Sequence, residues 1–126
     1  MKKLYLSSLL ATLLTTSMYA KPFDDAANLY KKGSFKEAFI AFEKLAKEGN
    51  ANAQYNIGMM YYNGKGVAQN KIMAFVWLEL ASKNGNKVAQ NKLGYMYEKG
   101  EVKGTKDEKK AVEEFLKSAM QNYNVA

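Results

Sequence analysis

The chain has 126 residues and lacks cysteine and histidine altogether; its 19 basic residues are all lysine, with no arginine among them. Without cysteine there is no disulfide, so the fold must rest on packing alone. Without thiolate or imidazole, the usual zinc and haem sites and the Cys-His and Ser-His catalytic pairs are excluded. No metal and no cofactor is expected. The missing arginine bears on nucleic acid, whose binders cluster Lys and Arg on one face and use Arg for bidentate contacts. Here the lysines run from Lys21 to Lys117 without clustering, which reads as a solvated surface, with no nucleic-acid partner.

The first 20 residues read as a targeting segment. Lys2 and Lys3 precede a mostly apolar run, Leu4 to Leu14, and Thr15-Thr16-Ser17 leads to Tyr19-Ala20. The run is shorter than the roughly 20 residues a bilayer-crossing helix needs. A signal peptide over 1–20, cut after Ala20, is therefore expected, although Met18 stands where a small residue is preferred. The mature domain, 21–126, would be periplasmic or secreted and keep no stable membrane span. Losing two lysines lowers the net charge from +7 to +5.

The rest of the chain repeats itself. Ala53, Ile57, Gly58, Tyr61 and Gly64 recur 36 residues later as Ala89, Leu93, Gly94, Tyr97 and Gly100. Ala38, Phe39, Phe42, Ala46 and Gly49 recur at the same interval as Ala74, Phe75, Leu78, Ser82 and Gly85. They recur once more, one residue late, as Ala111, Val112, Phe115, Ala119 and Asn122. A fixed period of this length marks stacked supersecondary units. Ile57 and Tyr61 share a helical face, and Gly58 beside them leaves room for a partner helix. Gly64 and Gly100 sit where a left-handed cap ends a helix. Asn70 and Asp107 precede the next helices as N-caps, with Ala74 and Ala111 on the inward faces and Gly85 closing one of them. The pattern predicts an all-α stack of three helix pairs, over about 23–49, 50–86 and 87–124.

The first unit turns within five residues, Gly33 to Ala38, where the second takes ten, Gly64 to Ala74. Its tight turn resembles a tetratricopeptide repeat. The later units, Ala-x3-Ile-Gly-x2-Tyr-x2-Gly-x-Gly-Val-x2-Asn-x3-Ala-x2-Trp in the second, resemble the Sel1-like repeat, closely over Ala53–Gly85 and more loosely to Asn122. The third unit departs from it: Glu114 replaces Trp77, and Val102-Lys103-Gly104 replaces Gly66-Val67. The resemblance implies a right-handed αα solenoid, one TPR-like pair followed by two Sel1-like pairs.

No catalytic residue emerges. Asp24-Asp25 and Glu113-Glu114 are sequence neighbours pointing about 100° apart on a helix, and they read as solvated surface. Gly64-Lys65-Gly66 follows a helix rather than a strand and lacks the Walker spacing. Some exported, cysteine-rich Sel1-like proteins have been described as binding penicillin or hydrolysing β-lactams, so an enzyme acting on β-lactams or peptidoglycan is one alternative the resemblance offers. This chain lacks their cysteines and any Ser-x-x-Lys box.

Solenoids commonly bind on the concave side lined by the first helix of each unit. With Ile57, Gly58 and Tyr61 inward, the face left over holds Asn52, Tyr55, Met59, Tyr62 and Asn63. One unit on it holds Val88, Asn91, Tyr95, Glu98 and Lys99, and in the first unit Asp24, Asn28 and Lys31. Tyrosine with asparagine suits recognition of a peptide, while Trp77 matches the repeat's own packing pattern. The expectation is an exported adaptor for a peptide or protein of the cell envelope or beyond. A structural envelope subunit is the other alternative. Val112, Phe115, Leu116, Ala119 and Met120 make a broad apolar face on the last helix, a candidate for homo-oligomer formation.

Overall fold

The structure, a computed structural model, describes residues 21–122. The expected signal peptide, 1–20, lies outside the described residues. Among them every regular element is a helix. A helical segment over 21–31 (α1) is followed by α2 (Phe35–Lys47), α3 (Ala51–Asn63), α4 (Lys71–Lys83), α5 (Lys87–Lys99) and α6 (Glu108–Gln121).

Each helix from α3 onward starts on a side-chain cap. Asn50 and Asn86 accept from the Ala53 and Ala89 amides at 2.9 and 2.8 Å, and Asn70 and Asp107 from those of Met73 and Lys110 at 3.0 and 3.1 Å. Such caps stabilise a helix by about 1 kcal/mol each. The first helix of a pair ends on a left-handed glycine, Gly64 (φ 68°) or Gly100 (φ 71°). The connector then doubles back. The Asn70 amide donates to the Tyr61 carbonyl and that of Asp107 to the Tyr97 carbonyl, both at 2.9 Å. Closure at the same two tyrosines lets the longer third-unit connector absorb its extra residue.

Packing is most extensive within pairs, α3 on α4 and α5 on α6. Gly58 and Gly94 permit it: a Cβ added at Gly58 would lie 2.8 Å from Leu78 Cγ, and one at Gly94 2.5 Å from Phe115 Cε1. Two apolar clusters result. Ala26, Ala38, Phe42, Ala46, Ala53, Ile57 and Met60 join α1 to α3, with Trp77 packed against them. Leu78, Ala81, Ala89, Leu93 and Met96 join α4 to α5. Ala74 and Ala111 are buried at the helix contacts.

Between units the joints also repeat. Phe39 meets Tyr61 edge-on at 5.4 Å, and Phe75 meets Tyr97 in the same way at 5.7 Å. A buried glutamine accompanies each. Gln54 Nε2 donates to the Ala46 carbonyl at 3.0 Å and Gln90 Nε2 to the Ser82 carbonyl at 3.1 Å. Their Oε1 atoms accept from Asn84 Nδ2 at 2.9 Å and Gln121 Nε2 at 2.8 Å.

One expectation needs correcting. Glu114 is not solvated surface; it is 8% exposed. It occupies the position of Trp77, which faces the preceding unit. The Ser82 hydroxyl donates to its Oε2 and Lys117 Nζ to its Oε1, each at 2.8 Å. A charge-assisted pair of donors lets the carboxylate stay there.

The connector glycine Gly66 gives the sharpest test of this packing. Its φ is +75°, and a Cβ would lie 2.3 Å from the Phe35 carbonyl oxygen, which is backbone. Gly85 has φ +89° with open space around it. Gly66→Ala should therefore cost about 2–4 kcal/mol and Gly85→Ala only about 1 kcal/mol, the left-handed penalty alone. Equilibrium unfolding checks the order; equal losses contradict it.

Candidate binding groove

Between α1 and α3 lies a groove of about 390 Å³. α1 contributes Ala27, Tyr30 and Lys31; α2 contributes Phe42; and α3 contributes Tyr55, Asn56, Met59, Met60 and Asn63. Phe42 and Met60 are buried and make an apolar floor. The walls carry two phenols and two amides, and Lys31 is the single charged residue of the lining.

The groove is open because of two residues. At the next junction, between α3 and α5, Tyr62 stands two positions before its capping glycine and Lys92 opposite. Lys92 Nζ sits 3.7 Å from the Tyr62 ring centroid, and Tyr62 OH donates to Glu101 Oε2 at 2.9 Å. The equivalent positions one unit earlier are Lys31 and Asn56, both lining the groove. A lysine and a short amide do not reproduce that aromatic stack, and the cleft between the helices stays unfilled.

Tyr30 is held from both sides. Its ring meets Phe35 edge-on at 5.0 Å, and Lys65 Nζ lies 4.8 Å from the Phe35 centroid and 5.9 Å from that of Tyr30. Across the groove, burial raises the Tyr55 phenol above its ordinary pKa, with a further contribution from Tyr30. The Tyr55 phenol therefore keeps its proton near pH 7, able to donate and accept hydrogen bonds. At the closed junction the Tyr62 phenol is raised by burial and then by Glu101, while burial lowers Lys92.

Of the residues expected on the concave face, the groove brings together Lys31, Tyr55, Met59 and Asn63, and Tyr55 and Met59 also pack against the α4–α5 cluster. Tyr62 is occupied by Lys92 and Glu101. Asn91 is half-buried on α5, outside the lining. Tyr95 is 54% exposed and meets Phe115 edge-on at 5.1 Å. Asn28 lies in a separate hollow with Asp25, Leu29 and Lys32, on the flank of α1 turned from α3. Sequence reasoning missed Tyr30 and Asn56. Tyr30 was readable: it precedes Gly33 by three residues, as Tyr61 precedes Gly64 and Tyr97 precedes Gly100. The buried glutamines were readable too, since Ala53-Gln54 recurs as Ala89-Gln90.

Comparison with known proteins agrees with this architecture. The family model for the Sel1 repeat matches residues 51–86 and 87–123. The chain belongs to the Sel1 repeat family, whose members generally mediate protein–protein interaction on a scaffold that is typically non-catalytic. Among solved structures, it is similar to a protective antigen of uropathogenic Escherichia coli strains displaying an SLR fold (31% identity, TM-score 0.71). It is also similar to a Sel1 repeat protein from Oxalobacter formigenes (32% identity, TM-score 0.72). The matches cover 79% and 80% of this chain but only 22% and 40% of those proteins. No curated protein matches the chain significantly.

Tyr97, at the inter-unit joint, offers a titration test. Burial pushes its phenol up to about 12, helped by Glu79, Glu114, Asp107 and Glu113. An unfolded tyrosine titrates near pH 10. The folded state thus holds this proton longer, and the associated stability is whole below about pH 10 and lost as pH climbs through about 12. Tyr97→Phe should delete a late step from the tyrosinate absorbance titration. If the late step persists in that variant, another phenol is responsible.

Proposed function

We propose that this chain is an exported adaptor that grips an extended peptide segment of a protein partner in the groove between α1 and α3. The observation that carries this reading is the groove itself: an apolar floor below converging phenols and amides, left open where the next junction is closed by Tyr62 and Lys92. An apolar side chain would fill the space over Phe42, Met59 and Met60. The peptide backbone would hydrogen-bond to Tyr30, Tyr55, Asn56 and Asn63, with an acidic group of the ligand near Lys31. Two-χ aromatic rings give contact area at low entropic cost, and amides adapt their hydrogen bonding to the segment they meet. A hydrolytic role would need a nucleophile beside a base, and the lining offers phenols, amides and one lysine. The export component rests on the Lys2-Lys3 start and the short apolar run after it. No helix among the described residues is long and apolar enough to cross a membrane.

A displayed peptide library selects ligands directly, whatever the natural partner is. Binders should share an apolar anchor with a nearby acidic residue. The double variant Lys31→Tyr, Asn56→Lys would transplant the Tyr62–Lys92 stack into the groove. It should fold and melt like the parent yet bind selected peptides at least tenfold more weakly. Binders indifferent to the closed groove, or a library that yields none, would refute the reading. The protein recovered from expressing bacteria for this work should begin at or near Lys21; N-terminal sequencing that returns Met1 removes the export component.

A further inference from the structure

α6 differs from its counterparts on the side turned away from the stack. The corresponding positions of α2 and α4 carry an exposed i,i+4 ion pair, Glu43–Lys47 at 3.2 Å and Glu79–Lys83 at 3.5 Å. In α6 the same two positions are Leu116 and Met120, 55% and 61% exposed. Val112 precedes them by one turn, 55% exposed, where α2 and α4 carry the joint-forming Phe39 and Phe75. The result is a stripe at i, i+4 and i+8 on a 14-residue helix, apolar at the two positions where α2 and α4 carry their ion pairs; the exposed apolar residues of α4, Ile72, Val76 and Leu80, lie one position further round that helix. Contiguous exposed apolar surface of this kind marks an association site.

We propose that this stripe is the interface of a two-fold homodimer in which α6 packs antiparallel on α6 of a second copy. Three features of the surface select that occupant. The stripe is symmetric about Leu116, so an antiparallel copy sets Leu116 on Leu116 and Val112 on Met120, apolar on apolar. The same arrangement brings Glu113 within one turn of Lys117 of the second copy, and does so twice by symmetry, which gives the interface charge complementarity. Ala119, small and exposed beside the stripe, lets the helices approach closely. The opposite end of the stack is unsuited to meet it. Asp25, Asn28 and Lys32 make the outer flank of α1 polar, so head-to-tail stacking would press charge on hydrocarbon. An isologous contact closes on itself at two copies. It also leaves the groove, on the far unit, free in each copy.

Sedimentation of the protein across about a hundredfold concentration range should show a monomer–dimer equilibrium with no larger species. Leu116→Glu sets two like charges on the axis and should give monomer throughout, melting as the dilute, dissociated parent does and without concentration dependence. Because the native chain has no cysteine, a single introduced thiol reports geometry. Leu116→Cys should oxidise to a covalent dimer, and Ile72→Cys, 74% exposed on α4, should not. The thiol pair also guards against a Leu116→Glu variant that loses its dimer by unfolding. A wild-type monomer at every concentration, open-ended growth, undiminished association of a folded Leu116→Glu variant, or equal cross-linking at Ile72→Cys would each overturn the proposal.

Discussion

The side chain of Gln54 leaves α3 and meets two helix ends at once. It donates to the Ala46 carbonyl in the last turn of α2 and accepts from Asn84, which caps α4. One unit on, Gln90 ties the end of α4, through the Ser82 carbonyl, to Gln121 in the last turn of α6. Helix C-termini carry carbonyls with no partner in their own helix. A buried amide that adds a second donor to one of them, beside the Gly49 or Gly85 amide, and is itself satisfied on its oxygen, ties one unit to the next at a fixed spacing. The apolar clusters around it are built largely of alanine, leucine, isoleucine and methionine, which supply burial energy but little register. Directional bonds supply that register.

From that spacing the concave side follows. The Phe–Tyr contact at each joint fixes the rotation of the following first helix, and the close approach at Gly58 and Gly94 seats it on its own second helix. What fills the space between successive first helices is then decided by two positions per junction. Tyr62 with Lys92 closes one junction; Lys31 with Asn56 leaves the other open. A binding groove thus arises from a local substitution in an otherwise regular stack, without any insertion or special loop. The same logic operates at α6, where replacement of an ion pair by leucine and methionine changes the character of an outer face while leaving its inner packing intact.

The repeat framework was legible because it is periodic. Glycines, tyrosines and alanines recurring at 36 residues specify helix ends, close contacts and buried faces, and those are backbone-scale features. The groove was only half legible for a reason of geometry. Lys31, Tyr55, Met59 and Asn63 lie on faces that can be computed from single helices, whereas Tyr30 and Asn56 matter through their opposition across two helices. Period alone does not say which flank of α1 turns toward α3, so Asn28 reads as a groove residue although it sits a step too far round the helix. Tyr62 and Tyr95 read identically as unclaimed aromatics. One is consumed by Lys92 and Glu101, and the other leans on Phe115, and neither partnership is written in spacing. Glu114 misleads because an acidic residue reads as solvated until its donors, one of them 32 positions away, are known.

The central claim is that buried amides set the distance between units. Equilibrium unfolding of Gln54→Met and Gln90→Met tests it most directly, since methionine keeps the length and loses both hydrogen-bonding functions. Each change takes one of two donors from a helix-end carbonyl, which keeps its Gly49 or Gly85 amide, and strands the side-chain amide of Asn84 or Gln121, at a cost of about 1–2 kcal/mol. The account predicts losses of that size in both variants, with a similar denaturant slope. Variants that unfold at the same denaturant concentration as the parent would contradict it.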